Sequence, residues 1–346
     1  MSETLRITED ALRQLASRIL QAAGLQSDHA ATVAEMLVWA DARGTSSHGV
    51  ARLPFYVELL RSGQMNGTAQ IRPMLQLPAL TMLEGQRCAG GAGMKAAALE
   101  AIALARRSGI GFCLLRDTTH TGALGYYTKM IADAGLAGIA AAASGPNMAY
   151  HQAAAAGVST APLSISLPRG PGHDPLLFDM ASGAVALGKL QQARDAGQPL
   201  PAGWALNGQG RPTTDPAEAV VPLPLGGPKG SGLALMFEGL ASLLSDNPIL
   251  APALGAPAAQ RRHYQNGFVI ALDVTQVIEP GKYSVQAQAL VDVIKALPAQ
   301  DGQEILMPGE RGFRQARTSA RDGIALRGAT VSALQKIAKE LGLPLP

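Results

Sequence analysis

The chain has 346 residues, 47% of them hydrophobic and 16% charged, with a formal charge of +3. That length exceeds what one hydrophobic core usually fills, so one large or two interwoven globular domains are expected and disorder is excluded. So small a net charge argues against a polyanionic partner such as DNA or RNA.

The opening MSETLRITEDALRQL places acidic residues where a secretory signal needs a basic head and an apolar run, and no uninterrupted apolar stretch reaches the ~18 residues of a membrane span. A cytoplasmic protein is expected. From Thr8 to Arg43 the apolar residues Leu12, Leu15, Ile19, Leu20 and Ala23, then Val33, Met36, Leu37 and Ala40, recur at helical spacing. They predict a helical hairpin whose second helix is capped at Ser27 and Asp28. After Gly63 the texture changes: LPALTMLEG reads as a strand, MKAAALEAIALARRSG as a helix ending at Gly109, and IGFCLLRD as a buried strand. YYTKMIADAG is a helix, LAGIAAAAS, APLSISLPR and PLLFDMA are strands, and SGLALMFEGLASLL is a strongly apolar helix. A strand, NGFVIALDV, and two helices, VQAQALVDVIKAL and TVSALQKIAKELG, complete an α/β pattern. Cys88 and Cys113 form no spaced cluster and read as buried thiols, and no metal-binding motif such as His-Glu-x-x-His is present.

Four stretches invite a chemical reading. Gly91-Ala-Gly-Met-Lys-Ala96 fits the loose dinucleotide fingerprint Gly-x-Gly-x-x-Ala, with Asp117 about twenty residues on. GQRCAG separates it from the preceding strand, however, so it reads as a plain loop and helix start. Gly226-Gly-Pro-Lys-Gly-Ser-Gly232 puts backbone N–H groups and a lysine at a helix start, which suits either a structural turn or an anion. In Thr45-Ser-Ser-His-Gly-Val-Ala-Arg-Leu-Pro54, a helical conformation would make His48 and Arg52 i,i+4 neighbours, although Pro54 would shorten or bend it. A titratable ring beside a permanent cation suits chemistry on a carboxylate; a cap, a surface histidine and a solvated arginine are the plain alternative. His120, in Asp117-Thr-Thr-His-Thr-Gly-Ala-Leu-Gly125, lies just past the carboxyl end of a strand, where open α/β sheets bind ligands. His29, His151, His173 and His263 sit among polar or loop-like neighbours and carry no assignment.

Six co-linear stretches together resemble the malate/L-lactate dehydrogenase family. They are Ser46 to Tyr56, the His120 loop with Gly125-Tyr-Tyr127, Phe178-Asp-Met-Ala181, Pro212 to Pro216, Gly226 to Gly230, and Pro308-Gly-Glu-Arg311. This family, distinct from the Rossmann-fold enzymes of similar name, includes ureidoglycolate, sulfolactate and diketogulonate dehydrogenases and cyclic imino-acid reductases. The resemblance implies an α/β fold with a family-specific mixed nicotinamide-binding sheet over residues 76–314. It also implies a mainly helical domain made of residues 1–75 and 315–346, and a homodimer. By matching position His48 is the proton donor or acceptor, Ser47 its hydrogen-bonding neighbour, and Arg52 the anchor of the substrate carboxylate, with Thr160 also on the substrate side. His120 counts both as catalytic and as a contact for NAD or NADP. The other cofactor contacts implied are Thr121, Gly122, Ala123, Leu124, Ser144, Asp179, Met180, Ala181, Leu187, Gly188, Lys229, Gly309, Glu310 and Arg311. No metal is implied.

Three departures bear on substrate. Many members carry Gly-Thr-Asn-Pro where this chain has Ser159-Thr-Ala-Pro162, so the asparagine side chain is absent at Ala161. Gly145-Pro-Asn-Met-Ala-Tyr-His151 is irregular. Lys189 stands where imino-acid reductases carry an acid and hydroxy-acid dehydrogenases tend to carry lysine. The expected activity is therefore hydride transfer between a nicotinamide and C2 of a small 2-hydroxy or 2-oxo acid. The alternatives are NADPH-dependent reduction of pyrroline- or piperideine-2-carboxylate on the same scaffold, and a cofactor-binding protein without catalysis, which the shared presence of Ser47, His48 and Arg52 argues against.

Overall fold

The computed structural model describes residues 5–257, 263–279 and 281–344. The helical hairpin forms as the apolar spacing predicts, with α1 over Glu9–Ala22 and α2 over Ser27–Ala42. Thr8 caps α1 by accepting the Ala11 N–H, but Ser27 and Asp28 lie inside the first turn of α2 and Gln26 holds its capping place without a side-chain bond. Helix α3 (Leu53–Arg61) follows and packs on α1.

A seven-stranded sheet forms the centre. The hairpin of β1 (Arg72–Leu77) and β2 (Leu80–Cys88) leads through α4 (Gly90–Ser108) to β3 (Ile110–Thr118), which runs parallel to β2, as the strand-helix-strand pattern requires. Helix α5 (Gly125–Asp133) connects to β4 (Ala137–Ser144), and β5 (Leu163–Leu167) and β6 (Leu176–Met180) extend that edge. The late strand β7 (Gln265–Leu272) inserts between β3 and β4, antiparallel to both, which gives the order β1-β2-β3-β7-β4-β5-β6. One parallel pair among antiparallel neighbours makes the sheet mixed, as expected.

Helix α4 ends at Gly109, whose φ of 78° suits a left-handed cap. It begins four residues earlier than its apolar spacing predicts, so Gly90 to Gly93 are helical. An added Cβ at Gly90 would lie 2.3 Å from the His120 carbonyl oxygen, and one at Gly93 2.7 Å from Leu115. Gly90 thus lets the helix start close on the His120 loop, and Gly93 lets it pack on β2 and β3. Farther on come α6 (Leu187–Ala196), then α7 (Pro228–Phe237), which continues as a π-helical turn over Glu238–Leu243, and α8 (Leu250–Gly255). Helices α9 (Lys282–Lys295), α10 (Glu310–Asp322) and α11 (Gly328–Glu340) complete the chain. Leu5–Ile7 pairs antiparallel with Ile324–Leu326, so the two ends of the chain meet. Cys88 and Cys113 are buried free thiols.

Strand β7 opens with a bulge between Gln265 and Gly267. There the buried Asn266 side chain accepts the Asp117 N–H at 2.9 Å and donates to the Ser242 hydroxyl (3.0 Å) and the Asn247 carbonyl (2.7 Å). Its Oδ1 also accepts from Asn247 Nδ2 at 2.9 Å, so Asn266→Leu abolishes four bonds and should cost ~2–3 kcal/mol in urea unfolding. A loss below ~0.5 kcal/mol would show that this junction does not lock the sheet.

Candidate active site

The segment from Thr45 to Pro54 is not one helix. Ser46–His48 and Val50–Arg52 form separate 3₁₀ turns, broken at Gly49, and Pro54 sits in the first turn of α3, where a missing N–H costs nothing. The i,i+4 relation of His48 and Arg52 is thus replaced by direct bonds through Ser47. The Arg52 Nε donates to the Ser47 carbonyl at 2.7 Å, and the Ser47 hydroxyl lies 3.0 Å from His48 Nδ1. Asp41, from α2, sets this shape. Its Oδ2 accepts the Val50 N–H at 2.7 Å, and a Cβ on Gly49 would fall 2.0 Å from its Oδ1. Burial pushes the Asp41 carboxyl up to about 7, against the lowering effect of the Val50 N–H.

His120 arrives two residues past the end of β3. Its Nδ1 lies 2.7 Å from the hydroxyl of Tyr56 on α3, and its ring stacks on His48 with centroids 5.9 Å apart. Burial raises the Tyr56 phenol, which keeps it protonated and able to donate to Nδ1. The loop after His120 is held from β7, where Gln265 Oε1 accepts both the N–H and the hydroxyl of Thr121 at 3.1 Å. A third imidazole, His263, precedes β7 and lies edge-on to Phe55 (5.0 Å between centroids) and 6.4 Å from His120.

These groups border a cleft of about 590 Å³. Of the residues singled out in the sequence, Ser47, His48, Arg52, His120, Thr121, Gly122, Ser144, Thr160, Ala181 and Gly188 line it. The Thr160 N–H donates to Asn147 Oδ1 at 2.7 Å, and its carbonyl accepts the Ser182 hydroxyl. At Gly188 a Cβ would stand 3.0 Å from that of Ser47, so the start of α6 closes on the histidine turn. Ala161 is buried at a φ of 25°, a conformation that asparagine tolerates better than alanine.

The remaining residues do not border this cleft. Ala123 and Leu124 are buried behind the loop. Asp179 accepts the Gly125 N–H at 2.8 Å and so anchors the start of α5; Met180 is partly buried beside it. Lys229 is exposed in the first turn of α7. Gly309 packs on Leu177, and its carbonyl accepts from Arg43, whose guanidinium lies over the rings of Trp39 and Phe313. Glu310 pairs with Lys295 and Arg314, and Arg311 is exposed. The Leu187 side chain lies outside the described residues. Lys189 is exposed. Asp41, Tyr56, Asn147, His263 and Gln265 gain roles that local sequence did not assign. Antiparallel pairing of Gln265 with Thr118 is the signal that would have placed His263 beside His120.

No aspartate, glutamate or lysine is among the described lining residues, and Arg52 is their one permanent charge. Burial and then the Arg52 charge lower His48 to about 4. Burial, followed by His48, Arg52 and His263, holds His120 well below the ordinary value, and burial with Arg52 lowers His263. All three imidazoles are neutral at neutral pH. Among the described residues no group of three His, Cys, Asp or Glu side chains is placed to hold a metal ion.

Two outcomes are expected from this geometry. His48 binds its proton more weakly folded than unfolded, so its contribution to stability is present above its ordinary pKa of 6.5 and is lost as pH falls toward about 4. His48→Gln should flatten the fall in urea midpoint across that window, and an unaltered slope would remove His48 as a source. Gly49→Ala forces a methyl onto the Asp41 carboxylate and should cost ~1–3 kcal/mol in thermal unfolding; an unshifted transition would show that the contact is not tight.

Known proteins carry the same architecture. The family model for malate/L-lactate dehydrogenase matches residues 7–335. A ureidoglycolate dehydrogenase (NAD(+)) of Escherichia coli O157:H7 is 37% identical over 244 residues, 70% of this chain and 70% of that protein. A delta(1)-pyrroline-2-carboxylate/delta(1)-piperideine-2-carboxylate reductase of Pseudomonas aeruginosa is 30% identical over 331 residues, 93% of this chain and 96% of that protein. The solved structure of malate dehydrogenase from Pyrococcus horikoshii OT3 superposes with a TM-score of 0.89 at 28% identity, covering 99% of this chain and 98% of that one. With a mixed sheet, a histidine-lined cleft and a family match over nearly its whole length, the chain belongs to the malate/L-lactate dehydrogenase family of oxidoreductases.

Proposed function

We propose that the cleft carries reversible hydride exchange between a nicotinamide and C2 of a small 2-hydroxy or 2-oxo acid. The observation behind this reading is Arg52, the one permanent charge among the described lining residues, beside a neutral His48. Its Nε is taken by the Ser47 carbonyl, which leaves both terminal nitrogens for the two oxygens of a carboxylate. Such a two-point grip fixes C2 in orientation.

The donor set suits a nicotinamide cofactor: Gly122 and Gly188 carry no side chain into the cleft, and Thr121, Ser144 and Thr160 offer polar groups around its wall. Bound NAD or NADP supplies the hydride acceptor or donor. The chain's own part is to orient and to move a proton. A carboxylate on Arg52 offsets the charge that adds to burial in depressing His48, so substrate binding eases protonation of this imidazole, which takes the hydroxyl proton in oxidation and returns it in reduction. Ser47 orients the His48 ring, Tyr56 orients His120, and Thr160 faces the substrate. Residues 1–75 with 315–346 supply Ser47, His48 and Arg52, while residues 76–314 supply the cofactor side. Ala123, Leu124, Asp179, Met180, Leu187, Lys229, Gly309, Glu310 and Arg311 support or extend that side away from the reacting atoms.

The working unit is a homodimer in the cytoplasm. Met236, Leu240, Leu243 and Leu244 form an exposed apolar face on α7 and its π-helical turn, of the kind that a second copy covers. Among the described residues no helix is long and apolar enough to cross a membrane.

The direct test follows absorbance at 340 nm with NADH and NADPH against a panel of 2-oxo acids and cyclic imines. Oxidation of either cofactor with 2-oxo acids is expected; turnover confined to cyclic imines, or none, overturns the reading. Arg52→Lys keeps the charge but loses the two-point geometry, so KM should rise and kcat fall, each by ~10-fold or more, with the melting temperature unchanged. Unchanged kinetics would remove the carboxylate grip from Arg52.

A further inference from the structure

We propose that Gln265 holds the nicotinamide in its reacting orientation, the side-chain NH2 donating to the carboxamide oxygen of the ring. The assignment rests on the hydride-transfer reading above and adds to it a residue that neither the local sequence nor the family stretches singled out.

Gln265 is the first residue of β7, where it pairs with Thr118 on β3 and with Ser144 on β4. It therefore stands between the His120 loop and the end of β4. Consecutive residues of a strand face opposite sides of the sheet, and here Asn266 turns to Ser242 and Asn247 while Gln265 borders the cleft together with Thr121 and Ser144.

One end of the Gln265 amide is already engaged. Its Oε1 accepts both the N–H and the hydroxyl of Thr121 at 3.1 Å, and because a backbone N–H only donates, that bond fixes which end of the amide is oxygen. The NH2 group is left over. No described residue accepts from it, although the side chain is only 8% exposed and its nitrogen is open to the cleft. Buried amides nearly always bond at both ends, and an unmatched donor in the wall of a cleft marks a place for a ligand acceptor.

Elimination selects the acceptor. In the proposed reaction the carboxylate of the acid is matched by the terminal nitrogens of Arg52 and the oxygen on C2 by His48, so neither calls on Gln265. The phosphates of a dinucleotide call for cations rather than a neutral amide. What remains beside the reacting carbon is the carboxamide, a neutral acceptor carried one ring atom from C4. A nicotinamide can turn over about the bond to its ribose, and a donor fixed on the carboxamide oxygen opposes that turn, so one face of C4 is kept toward C2. The same hydrogen bond draws electron density out of the ring, which favours hydride acceptance.

The test measures binding as well as turnover. Calorimetric titration of the full-length protein with NADH or NADPH, whichever binds more tightly, is compared with the thionicotinamide form of the same cofactor, in which a weakly accepting sulfur replaces the carboxamide oxygen. Gln265→Met keeps the length of the side chain and removes the donor. It should weaken the oxygen form by ~5-fold and the sulfur form by less than ~2-fold, as expected for the loss of one neutral hydrogen bond. The acetylpyridine form keeps the carbonyl and lacks only the NH2, so Gln265→Met should weaken it as much as the natural cofactor. Gln265→Glu retains the oxygen that holds Thr121 but not the NH2, and it should lower the ratio of oxygen-form to sulfur-form affinity in the same way; it decides the matter if Gln265→Met fails to fold, as its melting curve would show. Steady-state turnover of the variants should show the loss in KM for the natural cofactor, with KM for the acid within ~3-fold. An unchanged ratio, whether from no loss or from equal loss on both forms, overturns the assignment and leaves Gln265 as a support for the loop alone. A wild-type protein that binds neither reduced cofactor overturns the hydride-transfer reading instead, and the assignment falls with it.

Discussion

A buried carboxyl group pressed against a backbone without a side chain holds Ser47, His48 and Arg52 in place. Asp41 reaches from α2 to take the Val50 N–H, and only glycine at position 49 allows that approach. The contact divides the segment into two tight turns, and from those turns follow the Ser47 hydroxyl beside His48 and the Arg52 guanidinium on the Ser47 carbonyl. In a continuous helix the histidine and arginine would share one face. As two turns they are tied through serine, with the Arg52 Nε engaged on its carbonyl.

The second half of the site depends on β7. A strand drawn from late in the chain enters the middle of the sheet and places its start beside the end of β3. Its bulge lets Asn266 tie β3 to the segment after the π-helical turn, while Gln265 grips the loop that carries Thr121. One insertion therefore positions His120, its loop and His263 together, and each is fixed by bonds to a neighbour in sequence-distant structure.

Electrostatics explains why a permanent cation stands among neutral rings. Burial and the Arg52 charge both disfavour protonated imidazoles, so Arg52 is the one positive charge among the described residues that line the cleft. In the proposed reaction a bound carboxylate offsets the Arg52 charge and so makes proton uptake at the nearby His48 easier.

Much of this could be read from the sequence, and the exceptions have physical causes. Apolar spacing located α1, α2, α4, α5 and most strands of the sheet because each buries a recognisable stripe. Helix α10 escaped, since only Phe313 and Ser319 of its thirteen residues are buried and the rest are largely charged or polar. The start of α4 escaped because its four leading residues include three glycines, which are poor helix formers kept for close packing. His48, Arg52 and His120 were legible because each lies within a short run of unusual residues, and the order of such runs identified the family. His263, Tyr56, Gln265 and Asp41 were not, because their significance depends on which strands pair and which side chains meet once the chain has folded, from nine residues apart for Asp41 and Val50 to 144 for Gln265 and Thr121. By itself the sequence determined most element types, the family and the two local motifs, all of which depend on near neighbours along the chain. Only the tertiary structure decided the broken turn at Gly49, the three-histidine cleft and its charge state, because burial and long-range contact are properties of the packed chain.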